Sequence, residues 1–302
     1  MDANLMTMVI LARGRCGLSS GTSVYMVAMA AADLLVITIN VMLYRVFTYH
    51  FPHSFLGYTA VCRSLIYLNA AALDMSVWFT VSFTCDRFVS ICCEKFKAKY
   101  CTVSSAAAII TTLSVLLCLD NIPFWYAYET ERIVHNIHWG CRTKIGFFTS
   151  AAGTAYAWLE TALSPGIPFA VILLCNGLTV RRILVASRAR RGLRGQASES
   201  QSDPEMANRR KSIILLFTVS GSFILLWVTA AVSYLTSSLV VYALSDYTSP
   251  AYIASVTGFM LMYLSSCTNT CIYAATQTKF REELVKMVKN PCTSILTLVK
   301  KI

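Results

Sequence analysis

Six apolar runs, each long enough to cross a bilayer, constrain this chain more than any other feature: residues 22–43, 62–93, 103–126, 154–186, 213–235 and 252–274. A spanning helix needs about 20 predominantly apolar residues, because every backbone N–H and C=O must be satisfied within the segment. Hydrophobic residues fill 56% of the 302 positions and charged residues only 14%, where a soluble domain carries about a quarter charged. The membrane class follows. A further apolar stretch, 2–12, has 11 residues and runs straight into Arg13 and Arg15. It is expected to be the end of a first membrane helix that the sequence holds only in part; an interfacial anchor is the alternative.

The net charge of +11 might suggest nucleic acid as a partner, but the placement of the bases argues against it. Of the 26 Lys and Arg, all but Arg45, Arg63, Arg132, Arg142 and Lys144 fall in or beside four segments: 13–15, 87–99, 181–211 and 279–301. Alternating basic and base-poor connections follow the positive-inside rule, which assigns the four segments to the cytoplasm. Basic flanks beside anionic lipid need no nucleic acid. The expected fold is therefore an all-α membrane protein: a seven-helix transmembrane bundle in one domain, 1–302, with a truncated first helix and the C-terminus inside. Residues 187–211, with a Gly/Ser/Gln/Asp centre, read as a flexible cytoplasmic loop. Residues 277–288 place Phe280, Leu284, Val285 and Val288 on one face, as in a short amphipathic helix lying on the membrane. A short cytoplasmic tail, 289–302, carries Cys292 as a palmitoylation candidate. Pro165 and Pro168 are expected to kink the run they interrupt.

Asp86 and Arg87 stand side by side where the second run meets Lys95, Lys97 and Lys99. Charges in membrane helices are costly and are kept mainly for function. Such a pair can hold itself closed or release the Arg to another partner, which is the chemistry of a switch. The plainer alternative is an Arg that snorkels to mark the membrane edge. Twelve cysteines lie mostly inside apolar runs, and only Cys62 and Cys141 fall on the expected outer face, which suggests one disulfide.

From these residues the chain resembles the rhodopsin-like (class A) G-protein-coupled receptors over nearly its whole length. Cys62 lies twenty-five residues before Arg87, the family's separation between its disulfide cysteine and its Asp-Arg motif; in a helix that is about 37 Å. The resemblance makes Cys141 the partner of Cys62. Ala32-Asp33-Leu34-Leu35 looks like the second-helix acid, and Phe223 with Trp227 like the sixth-helix aromatic pair. Asn269-Thr270-Cys271-Ile272-Tyr273 looks like the seventh-helix motif, Phe280 like the anchor of the surface helix, and Asn4 like the first-helix Asn. Pro168 and Asn176 fit the fifth helix of peptide-type members. Cys85-Asp-Arg-Phe88, the following 91–101 stretch and Thr278-Lys-Phe-Arg-Glu-Glu283 resemble an orphan subfamily responding to tryptophan and phenylalanine. Thr270 and Thr229 stand where the family carries helix-kinking prolines. Asn69 and Ala230 stand where the subfamily's pocket is understood to carry an acid and an Arg.

The resemblance implies site residues. Asp86, Arg87, Asn269 and Tyr273 form the G-protein switch; Phe223 and Trp227 are a mobile aromatic pair, or else inert core. Asn69, Asp74, Glu160, Trp227 and Ala230 are ligand-pocket candidates. Asn69 takes the place of the amine receptors' Asp, which argues against a cationic amine, or it only bonds a neighbouring helix. Asp74 and Glu160 either meet a ligand's positive group or are protonated packing groups. Asp33, Ser76, Ser266 and Asn269 match the family's allosteric sodium site, with a protonated, hydrogen-bonded Asp33 as the alternative. No other metal or cofactor is expected; His50/His53 and His135/His138 have zinc-like spacing, but loop histidines are usually solvated.

The expected function is conversion of binding of an extracellular small molecule or peptide, aromatic amino acids included, into activation of a heterotrimeric G protein, Gq/11 first. Arrestin, a receptor kinase and plasma-membrane lipids are further implied partners. The alternatives are a transporter or channel, which would need polar residues along a continuous path, and a non-signalling truncated receptor. An enzyme would need a nucleophile–base or metal constellation, and no H-E-x-x-H or G-x-S-x-G is present.

Overall fold

The fold depends on how the apolar runs terminate and where their polar residues turn. The computed structural model describes residues 2–14, 16–51, 53–193, 204–237 and 249–289. Helix α1 (Asp2–Ala12) precedes α2 (Ser20–Val36), which continues through a π-helical stretch, Ile37–Phe47, into α3 (Thr48–His50). Then come α4 (Thr59–Cys92), α5 (Glu94–Tyr100), α6 (Val103–Asp120) and α7 (Ile122–Ala127). After four short strands, α8 (Ala151–Thr161) passes through a π-helical turn, Ala162–Gly166, into α9 (Ile167–Leu193). The chain closes with α10 (Pro204–Ser237), α11 (Pro250–Thr276) and α12 (Thr278–Lys289). Among the described residues, five helical segments are long and apolar enough to cross a membrane: Ser20–His50, Thr59–Cys92, Val103–Ala127, Ala151–Arg188 and Arg210–Ser233. Helix α11, 27 residues long, has the length of a sixth, and α1 is shorter.

Local chemistry starts these helices where they start. Ser19, Thr102, Ser150 and Ser249 each accept a backbone N–H from three residues on, satisfying an otherwise orphaned donor. Pro165 lies inside the π-helical turn, where its missing N–H costs no regular hydrogen bond. Where Thr229 and Thr270 replace prolines, α10 and α11 run as unbroken helices. Residues 187–193 and 204–211, expected in a loop, are helical instead. Arg, Lys, Ala and Glu favour helix, and Pro204 is preorganised for a first turn. Cys292 and Ser198, Ser200 and Ser202 lie outside the described residues.

The polar connection after α7 contains two antiparallel pairs. Strand β1 (Tyr128–Glu129) pairs with β4 (Arg142–Thr143), and β2 (Arg132–Val134) with β3 (Ile137–Trp139). His135 and Asn136, at φ 50° and 62°, make the two-residue turn between β2 and β3. Gly140 donates to the Gly57 carbonyl (2.7 Å) and its own carbonyl accepts from Thr59 Oγ1 (2.8 Å). This clasp brings Cys141 to Cys62, and the two form a disulfide with Cα atoms 6.0 Å apart.

The interior combines an apolar core with buried polar groups, and the outer surface carries large apolar side chains. Buried positions include Asn4, Thr7, Asp33, Asp74, Ser76, Asn121, Ser220, Ser266 and Thr270. Val115, Leu116 and Leu119 of α6, and Leu173, Leu174 and Leu184 of α9, are exposed. Such surface would be a liability in water and is what lipid requires. Helix α1 joins through polar contacts: Thr7 and Thr270 share a hydrogen bond of 2.8 Å, and Asn4 Nδ2 donates to the Ser266 carbonyl at 2.9 Å. Thr270, in the proline position, thus ties α11 to α1. Helices α10 and α11 approach closely at Gly258, where an added Cβ would stand 2.8 Å from the Ala230 nitrogen. Gly258→Val should force α10 and α11 apart and lower stability by about 1–3 kcal/mol, read as a lower Tm of the purified protein in lipid nanodiscs.

Candidate functional site

Helix α4 organises the site, because its 34 residues span the bundle. One end carries the disulfide, the other Arg87, and the centre Ser76.

At the Arg87 end, Asp86 and Arg87 are both buried, Arg87 to 6% exposure. Arg87 Nε donates to Asp86 Oδ2 at 3.1 Å and Nη2 pairs with the same oxygen. Nη1 reaches Ser212 Oγ of α10 at 3.5 Å, so the guanidinium links α4 to α10 while held by its neighbour. A cavity of about 770 Å³ opens here, bordered by Arg87, Lys97, Lys211, Ser212, Gln277 and Lys279. Its character is basic, and Glu94 is the acid on its rim. Tyr273 is fully buried, its ring 5.8 Å from that of Phe280. Phe280 and Met287 anchor α12 by its apolar face. Cys16 and Cys101 border the cavity. Burial, then Glu283, pushes the Cys16 thiol up to about 11; burial, then the Asp86 charge, does the same for Cys101.

In the middle, the Asp33 carboxylate is 1% exposed. Ser76 Oγ donates to Oδ1 at 2.6 Å and Asn269 Nδ2 to Oδ2 at 2.7 Å, with Ser266 a further donor. The four expected residues therefore converge from α2, α4 and α11. One carboxylate with hydroxyl and amide oxygens fits a monovalent cation in charge and hardness.

Toward the disulfide, a second cavity of about 340 Å³ brings Asn69, Asp74, Glu160 and Trp227 together. Ala230 does not border it: it is packed into the α10–α11 contact at Gly258. Asp74 accepts Asn121 Nδ2 at 2.7 Å on Oδ2 and the Ser164 hydroxyl on Oδ1. Asp120 lies beside Glu160, and Tyr156 OH donates to the Asp120 backbone carbonyl at 3.3 Å. Asp120, Asn121, Tyr156 and Ser164 escaped the sequence reading. Asp120-Asn121 at the end of an apolar run was the available signal. Trp227 stacks on Phe223 at 5.2 Å, and Phe223 meets Phe169 edge-on at 5.8 Å. His138 pairs with Thr130, and His53 packs on Trp139.

The model of the 7 transmembrane receptor (rhodopsin family) matches residues 3–273. The chain belongs to the rhodopsin family of seven-transmembrane receptors. It is similar to the mouse (Mus musculus) G-protein coupled estrogen receptor 1, at 24% identity over 86% of this chain and 64% of that protein. The human (Homo sapiens) form is 26% identical over 67% of this chain and 47% of its own length. Mouse C-C chemokine receptor type 8 is 25% identical over 96% of this chain and 76% of that receptor. The chain thus spans about half to two thirds of the estrogen-receptor relatives it matches. The family is one of signalling receptors in membranes and not of enzymes.

Two predictions follow for this receptor. Asp86→Asn leaves Arg87 buried beside a neutral amide and should lower stability by about 2 kcal/mol, measured as Tm. Cys101 should react slowly with iodoacetamide at pH 7.5, about tenfold faster per pH unit until pH approaches 11.

Proposed function

We propose that the receptor is a seven-helix plasma-membrane protein whose C-terminus faces the cytoplasm and which passes ligand binding at the disulfide end to a heterotrimeric G protein at the Arg87 end. The observation that carries this reading is the face of α10 joining the two cavities. Trp227, Phe223, Ser220, Leu216 and Ser212 follow one another at three- or four-residue steps, one side of a helix. Trp227 borders the outer cavity, Ser220 accepts Asn176 Nδ2 of α9 at 2.7 Å, and Ser212 meets Arg87. A ligand that favours another Trp227 packing shifts the population toward a rotated α10. Rotation draws Ser212 from Arg87 and widens the basic cavity, where the guanidinium leaves Asp86 for the G protein. Lys97, Lys211 and Lys279 favour an acidic or C-terminal carboxylate segment there. Gq/11 is the first choice of transducer, with receptor kinase and arrestin as later partners.

A sodium ion held by Asp33, with oxygens from Ser76, Ser266 and Asn269, would supply counter-charge and favour the closed packing; Asn269 would turn its Oδ1 inward to join. The outer cavity lies at the small end of ligand pockets, which run about 300–1,000 Å³, so a small molecule is favoured over a peptide. Aromatic amino acids are the ligands to test first.

Cells expressing the receptor should give calcium and inositol phosphate signals with tryptophan or phenylalanine that disappear in Arg87→Ala at equal surface expression. A signal that persists in Arg87→Ala, or ion flux without G protein, contradicts the reading.

A further inference from the structure

The outer cavity holds more negative charge than its sequence position suggested. Asp74 of α4 and Glu160 of α8 line it, with Asp120 of α6 next to Glu160, and among the described residues none of the three has an ion-pair partner. Two arginines at this end are engaged elsewhere. Arg63 donates to the Trp125 carbonyl at 2.7 Å and lies over its ring, and Arg45 is held by Asn40 and Tyr263.

Hydrogen-bond accounting gives a second, independent indication. Asn69 Oδ1 and Glu160 Oε1, both on the cavity lining, are buried atoms without a partner. Behind the lining, the Asn121 amide nitrogen is committed to Asp74. The two unmet lining atoms are acceptors. A buried acceptor left unmet is costly, so the occupant must bring donors. An ammonium or guanidinium offers several donors and no acceptor. The walls contributed by Phe124, Tyr128, Phe148, Tyr156 and Trp227 suit an aromatic body and a cation over a ring face. Among the described residues no three His, Cys, Asp or Glu are arranged to hold a metal ion. The aromatic lining favours an extended organic cation over a bare ion.

We propose that this cavity takes a small aromatic cation, an arylalkyl ammonium or guanidinium whose N–H groups engage Glu160 and Asn69 beside Asp74. The inference rests on reading the cavity as the receptor's ligand site. Asn69 in the amine receptors' Asp position argued against such a ligand; here the charge comes from one turn deeper on α4 and from α6 and α8.

The test uses the full chain, purified in lipid nanodiscs, with matched probes that differ in charge: tryptamine, the neutral tryptophol, the zwitterion tryptophan and indole-3-acetate. Phenethylamine and phenethylguanidine complete the panel. Tryptamine should raise the Tm and bind roughly tenfold or more tighter than tryptophol, with tryptophan weaker and indole-3-acetate weakest. Glu160→Gln should remove most of that preference while the affinity for tryptophol stays within about twofold. Equal binding of tryptamine and tryptophol overturns the proposal, as does a panel in which no cation binds. A Tm that follows pH through Glu160 but ignores every cation makes the proton the occupant and also overturns it. The receptor reading is scored separately, by basal G-protein nucleotide exchange that Arg87→Ala abolishes. Charge-selective binding without exchange removes that reading and leaves this one; exchange without cation binding does the reverse.

Discussion

An ionised side chain within a bilayer has to find its compensation inside the protein, and this requirement places the three polar centres of the receptor. Asp86 and Arg87 compensate each other across adjacent residues. Asp33 is compensated by neutral donors from α4 and α11, and Asp74 by Asn121 and Ser164. The Asp33 and Asp74 solutions draw partners from other segments, so these polar residues also tie the helices together. Apolar packing between Trp227, Phe223 and Phe169, and the close contact at Gly258, then sets the distances. Lipid supplies no strong hydrophobic drive for helix association, which is why small and polar residues carry so much of the interior.

The proposed switch between two arrangements rests on the same economy. Arg87 has one partner on its own helix and a long contact, 3.5 Å, to Ser212 on α10. Breaking the second costs little, and breaking the first exposes the guanidinium to a cavity already lined by bases. Repulsion from Lys97, Lys211 and Lys279 makes an acidic partner the natural replacement for Asp86. In the proposed switch the unbroken α10 would move as a rod, because Thr229 leaves it without the flexible point a proline would provide.

Much of this was legible in the sequence because bilayer physics writes long signals. The apolar runs, the base distribution and the ordered spacing from Asp33 through Ser76 and Arg87 to Asn269 located the helices and two of the three centres. Shorter signals failed. The strands at Tyr128–Thr143 are two or three residues each, too short for alternation to register. The basic ends of the 187–211 segment read as loop because their charge hid their helix propensity. Asp120 was passed over because an acid at the end of an apolar run looks like a helix boundary, and only the approach of α8 turns it inward. Ala230 failed as a pocket residue because helix rotation set by Gly258 is not encoded at Ala230 itself.

The most direct test of the central claim is the distance between spin labels at Ser90→Cys on α4 and Lys211→Cys on α10, in a background cleared of reactive native cysteines. If the Asp86–Arg87 pair holds the Arg87 end closed, neutralising Asp86 with Asp86→Asn should shift the distance distribution to longer values without any ligand. A distribution unchanged by Asp86→Asn in folded protein would contradict the switch.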